Sequence, residues 1–291
     1  MSIVSAGSSP PPLSAPTIFA IRYLSAVAVT AIVYDHALTF ADEVKLIWFN
    51  NQAGMGNRIS FIVNRYTTEA GVIYVAYMFS GASRGLSNQV CGNFIWVFGV
   101  VGSVSMAAQQ YIMVARVYVL WDRRTVIKWI VMVAFAIQTA FTTVFAILTA
   151  YKLQPFSGYD PRIHMCGISA TPWTLPVTMA TLVAFGVFII VMTIFNALDR
   201  PHQKQADVVT ALVHDGARMF IVRPMATGSP LSYIAAGAPV FFIIQFVMTL
   251  VGNPGDALVT LACMWAMLGI VPARLQLRVE GLRWFWQKFC P

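Results

Sequence analysis

Thr17–Phe40 reads TIFAIRYLSAVAVTAIVYDHALTF, 24 residues in which only Arg22, Asp35 and His36 have ionisable groups apart from tyrosine. Crossing the hydrocarbon core of a bilayer takes roughly 20 consecutive apolar residues in a helix. This run is long enough to do so. Ahead of it, Met1–Pro16 is rich in Ser and Pro and has no Lys or Arg. A cleavable signal peptide begins with a basic region, so residues 1–16 read as a short disordered tail and the run itself as a retained span.

Runs of the same kind recur at Ile59–Ser80, Phe94–Trp121, Trp129–Tyr151, Trp173–Leu198 and, shorter, Ala257–Val271. Across the chain 58% of residues are hydrophobic and 10% charged. Soluble domains carry roughly 25% charged residues. The polar surface is too small for a water-soluble body, and the lipid bilayer is the expected solvent and first partner. The formal charge of +8 falls at the ends of apolar runs, where membrane topology needs it, and forms no nucleic-acid-binding stripe. Nucleic acid is therefore excluded as a partner.

Asp207–Gly252 sets the number of spans. It is too long to cross once and is broken by Arg223-Pro224-Met225-Ala226-Thr227-Gly228-Ser229-Pro230. Two crossings here would make eight spans and put the basic carboxyl-terminal segment outside. One crossing makes seven. With seven, the inner loops and tail hold about eleven basic residues and the outer loops about three, Arg84, Lys152 and Arg162. The positive-inside bias thus favours an all-α, multi-pass bundle of seven spans over residues 17–272, amino terminus outside, with a basic-aromatic cytoplasmic tail over residues 273–291.

Charged side chains inside spans are costly and mark sites by default. Asp35 lies seven residues before Asp42, Arg65 seven after Arg58, Arg116 seven before Arg123, and Asp215 eight after Asp207. At 1.5 Å per residue, each sits about 10 Å inside the cytoplasmic boundary. His36 and His214 adjoin the two acids. Asp35, His36, Arg65, Arg116, His214 and Asp215 thus form one intramembrane charged layer, read either as a structural ion-pair girdle or as a switch or proton-linked site. Glu69, one turn beyond Arg65, is placed to pair with it within one helix.

Cys91 precedes the third span and Cys166 lies in the long outer connection, on the side of a membrane where disulfides form; they are the candidate bridge. Cys263 reads as a small buried hydrophobe. Cys290 follows an interfacial basic-aromatic segment, a candidate lipidation site. Gly81-Ala82-Ser83-Arg84-Gly85 satisfies Gly-x-Ser-x-Gly, but a nucleophile elbow needs a strand-to-helix turn, and here the motif joins two spans. His36, His164, His202 and His214 lack metal-ligand spacing. The five lysines lie outside the span interiors, which speaks against a retinal Schiff base. No catalytic residue, metal or cofactor is expected.

Tyr34-Asp35-His36, Asp42-Glu43-Val44, Trp48 and Asn64-Arg65-Tyr66 stand in the order seen in a fungal, chiefly basidiomycete, family of seven-span proteins. The chain resembles that family, whose amino-terminal domain of unknown function carries the number 6533. Arg116-Val117-Tyr118-Val119-Leu120-Trp121 resembles the close of its third span, and His214-Asp215-Gly216 the start of its sixth. The resemblance implies a seven-span fold and no activity. In such proteins the Asp-Gly step runs straight into the sixth span, so Arg223–Val240 reads as an insertion, possible as a retained intron. If the insertion is genuine, Asp207–Val222 is an interfacial helix.

These features favour a receptor-like or sensor protein of the plasma membrane, with a small-molecule or lipid ligand and a cytoplasmic protein partner. The alternatives are a membrane scaffold, then a transporter or an enzyme acting on lipid or isoprenoid. A transporter would show internal repeats or paired broken helices, and an enzyme convergent acids, histidines or a metal.

Overall fold

The computed structural model describes residues 14–49, 54–81, 87–121, 124–199, 242–252 and 254–289. Helix α1 spans Ala15–Glu43 and is prolonged by a π-helical turn, Val44–Trp48. Then follow α2 (Met55–Phe79), α3 (Asn88–Leu120), α4 (Thr125–Leu153) and α5 (Thr174–Asp199). A short apolar helix α6 covers Phe242–Val251, and α7 runs over Pro254–Phe289. Between α4 and α5 a hairpin pairs β1 (Ser157–Asp160) antiparallel with β2 (Met165–Ile168), Tyr159 opposite Cys166.

Five helices among the described residues, in α1, α3, α4, α5 and α7, are long and apolar enough to cross a membrane. Their surfaces are those of a protein dissolved in lipid. Along α4, Val126, Ile130, Val133, Ile137, Phe141, Val144 and Tyr151 are exposed, a row at helical spacing that offers hydrocarbon to hydrocarbon. Polar side chains such as Asn64, Thr68, Gln109 and Gln245 are buried instead. In a bilayer no water is at hand to satisfy them, so they turn toward other helices. Helix α2 is 25 residues long, yet Arg58, Arg65 and Glu69 make it more polar than the five. It packs against α1, α3 and α7, and its polar groups face those neighbours.

Helix ends differ from the sequence reading where tertiary contacts extend them. α1 continues past Phe40 because Asp42-Glu43 does not end it: Glu43 is fully buried. α2 starts at Met55, before Ile59. α7 does not stop at Val271 but passes through Pro272 to Phe289, so residues 273–289 are helical. A proline inside a helix removes one backbone donor, a loss that neighbours can offset in a membrane protein.

Small residues set the packing. The indole of Trp265 on α7 lies where a side chain at Gly71 of α2 or Gly102 of α3 would have to go; a Cβ on Gly71 would stand 2.5 Å from Cζ3 and one on Gly102 2.9 Å from Cζ2. Trp265 also stacks on Phe98 at a centroid separation of 4.5 Å. At one end of the bundle Cys91 and Cys166 are joined in a disulfide, tying β2 to the first turn of α3. There Arg22 donates to the carbonyl oxygen of Ile163 at 2.5 Å, a local anchor between α1 and the hairpin. Gly81, just past α2 with φ of +77°, gives the left-handed step that lets the chain turn beside Arg22.

Candidate functional site

Asp35, Thr39 and Glu43 are spaced by four residues, which places them in one row along α1. All three meet the guanidinium of Arg65 on α2. Its Nη1 donates to Asp35 Oδ2 at 3.0 Å and its Nη2 to Thr39 Oγ1 at 2.6 Å. Its Nε lies 3.3 Å from Glu43 Oε2, a charge contact without an aligned hydrogen bond. Arg65 and both acids are buried.

The π turn completes the cradle. In an α-helix the fourth residue on returns to the same face, whereas a π turn brings back the fifth. Trp48, five residues after Glu43, therefore lies over it, and its indole Nε1 donates to Glu43 Oε1 at 3.1 Å. Tyr66 donates to the same oxygen at 2.8 Å.

The second cation comes from the far end of the chain. Arg274 of α7 pairs through Nε with Asp35 Oδ1, so Asp35 is shared between two guanidiniums while Glu43 has Arg65 alone among the pairs described. The four groups Asp35, Glu43, Arg65 and Arg274 carry two charges of each sign. Below it Leu46, Ile47 and Phe61 pack on Ala273 and Leu277, and Gln276 donates to the carbonyl oxygen of Asn57 at 2.8 Å. Beside the core, His36 Nδ1 and Glu69 Oε2 are 2.6 Å apart, with Tyr66 edge-on to the imidazole.

In the half of the bundle nearer the disulfide, a cavity of about 150 Å³ opens between α3, α4, α5, α6 and α7. Phe94, Phe98, Met106, Leu182 and Trp265 are among its walls.

Of the residues singled out from sequence, Asp35 and Arg65 come together. His36 stands beside them but engages Glu69, which corrects the expected pairing of Glu69 with Arg65: across the interface an imidazole offers a closer partner than the helix's own previous turn. Arg116 Nη2 comes within 3.5 Å of the carbonyl oxygen of Pro272, and Arg116 meets no acid among the described residues. His214, Asp215, Cys290, Ser83, His202 and the stretch Arg223–Val240 lie outside the described residues. Among the described residues, no three His, Cys, Asp or Glu side chains gather where a metal ion could be held.

Three members of the cluster were missed. Glu43 stood in the Asp42-Glu43-Val44 motif, and its four-residue spacing from Thr39 and Asp35 was the signal available. Thr39 completes that row. Arg274 gave no such signal, because Pro272 suggested that the helix had already ended.

Residues 23–68 match a family of unknown function (DUF6533). The matched segment covers most of α1, the π turn and the first half of α2, and so holds every member of the charged cluster except Glu69 and Arg274. No curated protein matches the chain.

Proposed function

We propose that this protein is a seven-span membrane sensor, amino terminus outside, in which occupancy of the cavity is transmitted along α7 to the charged cluster at the cytoplasmic end. The observation that carries the reading is that one helix forms part of both sites. Trp265 on the cavity wall and Arg274 on Asp35 are nine residues apart in α7, about 13 Å along its axis. A tilt or rotation of α7 that accommodates a ligand at Trp265 necessarily moves Arg274.

The cluster is built to tolerate that movement. If Arg274 leaves, Asp35 keeps Arg65. Arg274 is also the more accessible cation, 25% exposed against 5% for Arg65. One cation is thus structural and the other releasable, an arrangement suited to a two-state element. Seven spans are favoured by the helix directions. Late α3 meets late α5 through Trp121 and Met192; along α7, early α3 meets Trp265 through Phe98 and late α3 meets Pro272 through Arg116. α5 and α7 therefore run the same way, as a seven-span count requires. The excess of basic residues in the loops at the cluster end favours that end as cytoplasmic.

The test is a screen of the purified protein for thermal stabilisation by small molecules and lipids, followed by distance measurement between labels at the cytoplasmic ends of α1 and α7. A stabilising ligand should change that distance in the wild type and not in Arg274→Gln. A stable cytoplasmic partner with no stabilising ligand would replace the sensor reading by that of a scaffold.

A further inference from the structure

The cavity between α3, α4, α5, α6 and α7 has a chemistry that restricts what it can hold. No Asp, Glu, Lys, Arg or His lines it among the described residues. A charged ligand would enter without a counter-ion, and burial of an unpaired charge is strongly unfavourable. Phe94, Phe98 and Trp265 give it flat aromatic walls. Its volume of about 150 Å³ matches that of apolar protein cavities that take up benzene.

One polar group on its wall is unspent. Thr149 of α4 is 8% exposed, lines the cavity and has a buried hydroxyl with no hydrogen-bond partner. Threonines within helices commonly bond back to the preceding turn, as Thr143 does to Thr139 at 2.8 Å; Thr149 does not. The other buried polar side chains of the wall are committed. Thr142 accepts from Gln138 at 2.9 Å, Thr178 donates to the carbonyl oxygen of Thr174 at 2.9 Å, and Gln245 donates to that of Ala257 at 3.0 Å while its own oxygen accepts from Thr260 at 2.7 Å. An unpaired buried hydroxyl is unfavourable unless something fills the site and bonds to it.

We infer that the cavity is a binding site for a small, uncharged ring compound carrying one hydrogen-bonding oxygen, an alcohol or phenol of about six to ten heavy atoms, with Thr149 as the group that recognises the oxygen. A hydroxyl both donates and accepts, so an alcohol, phenol or ketone oxygen satisfies it. This assignment rests on the sensor reading for its biological sense but not for its test.

The test uses the full chain in detergent and two probes of similar size and shape, cyclohexanol and methylcyclohexane, whose apparent affinities are read from the concentration dependence of thermal stabilisation. The ratio of the two affinities in a variant, compared with the same ratio in the wild type, cancels partitioning into the micelle. Both probes should stabilise the wild type saturably. Thr149→Val, which keeps the shape and removes the hydroxyl, should lower the cyclohexanol-to-methylcyclohexane ratio about fivefold, the worth of one neutral hydrogen bond. Thr149→Ser should restore it. Ala146→Leu, which fills the cavity, should abolish saturation by both.

An unchanged ratio in Thr149→Val overturns the role of Thr149. Absence of saturable stabilisation in the wild type, or binding of cyclohexylammonium as tight as that of cyclohexanol, overturns the ligand class. The failures are separable from those of the sensor reading. Probes that bind without altering the distance between the ends of α1 and α7 sink the sensor and leave the site. A charged molecule that alters that distance while the neutral probes fail does the reverse.

Discussion

Replacing Arg65 by Leu removes the cation that serves both buried acids. Its neighbours fare unequally. Asp35 retains Arg274, but Glu43, with no exposed side-chain surface, keeps only the hydrogen bonds from Tyr66 and Trp48. Breaking a buried pair by deleting one partner costs roughly 3–5 kcal/mol because the other charge stays buried. At 2–4 °C per kcal/mol for a chain of this size, that corresponds to a fall in melting temperature of about 10 °C. Arg274→Leu should cost much less, about 1 kcal/mol, since Arg274 is partly exposed and Asp35 still holds Arg65. The decisive variant is the double one, Arg65→Leu with Glu43→Gln. Glutamine can accept from Tyr66 and Trp48 as Glu43 does, and it carries no charge to strand. It should recover roughly half of the loss, about 2 kcal/mol. The assay is thermal unfolding of purified variants at one fixed scan rate, followed by far-ultraviolet circular dichroism. A melting temperature for Arg65→Leu within about 1 °C of the wild type, or a double variant no better than the single one, would refute charge compensation as the contribution of Arg65.

Cys166→Ser opens the link between β2 and α3, which closes a loop of 75 residues; the expected loss is roughly 2–4 kcal/mol, seen as matching melting curves for the variant and the reduced wild type. Gly71→Ala puts a Cβ against Trp265 and should destabilise by about 1–3 kcal/mol, and should cost less in a Trp265→Leu background than in the wild type; an equal loss of melting temperature in both backgrounds would show that the clash is not with the indole. An Asn-Ser-Thr acceptor inserted between Pro161 and Arg162 in the hairpin turn should be glycosylated in a eukaryotic host if this end faces the lumen or exterior, and remain unmodified if the orientation is opposite, as read from a mobility shift removed by a glycosidase.

Much of the cluster was readable one helix at a time. Charged groups in apolar runs flagged Asp35 and Arg65 because lipid penalises them wherever they stand. Spacing alone would have added Thr39 and Glu43, since a four-residue interval fixes a shared helix face. Arg116 was placed in the same layer by its depth, but depth says nothing about azimuth. Among the described residues it meets the backbone of α7 and no acid. For the same reason Glu69 was assigned to Arg65 and found His36: the two candidates differ only in how α1 and α2 are rotated against each other.

By itself the sequence determined that the chain dissolves in lipid, because too few charged residues exist to cover it with a wetted surface, and it placed the apolar helices to within about six residues at their ends, except that α7 runs on from Val271 to Phe289. Only the tertiary structure decided which charges neutralise which. Asp35 and Arg274 are 239 residues apart, and their pairing depends on α7 continuing through Pro272, on Gly71 and Gly102 admitting Trp265, and hence on how closely three helices approach. Those are properties of packed surfaces. A helical period fixes the face on which a residue stands, but the partner across that face is fixed by the fit of side chains from distant parts of the chain.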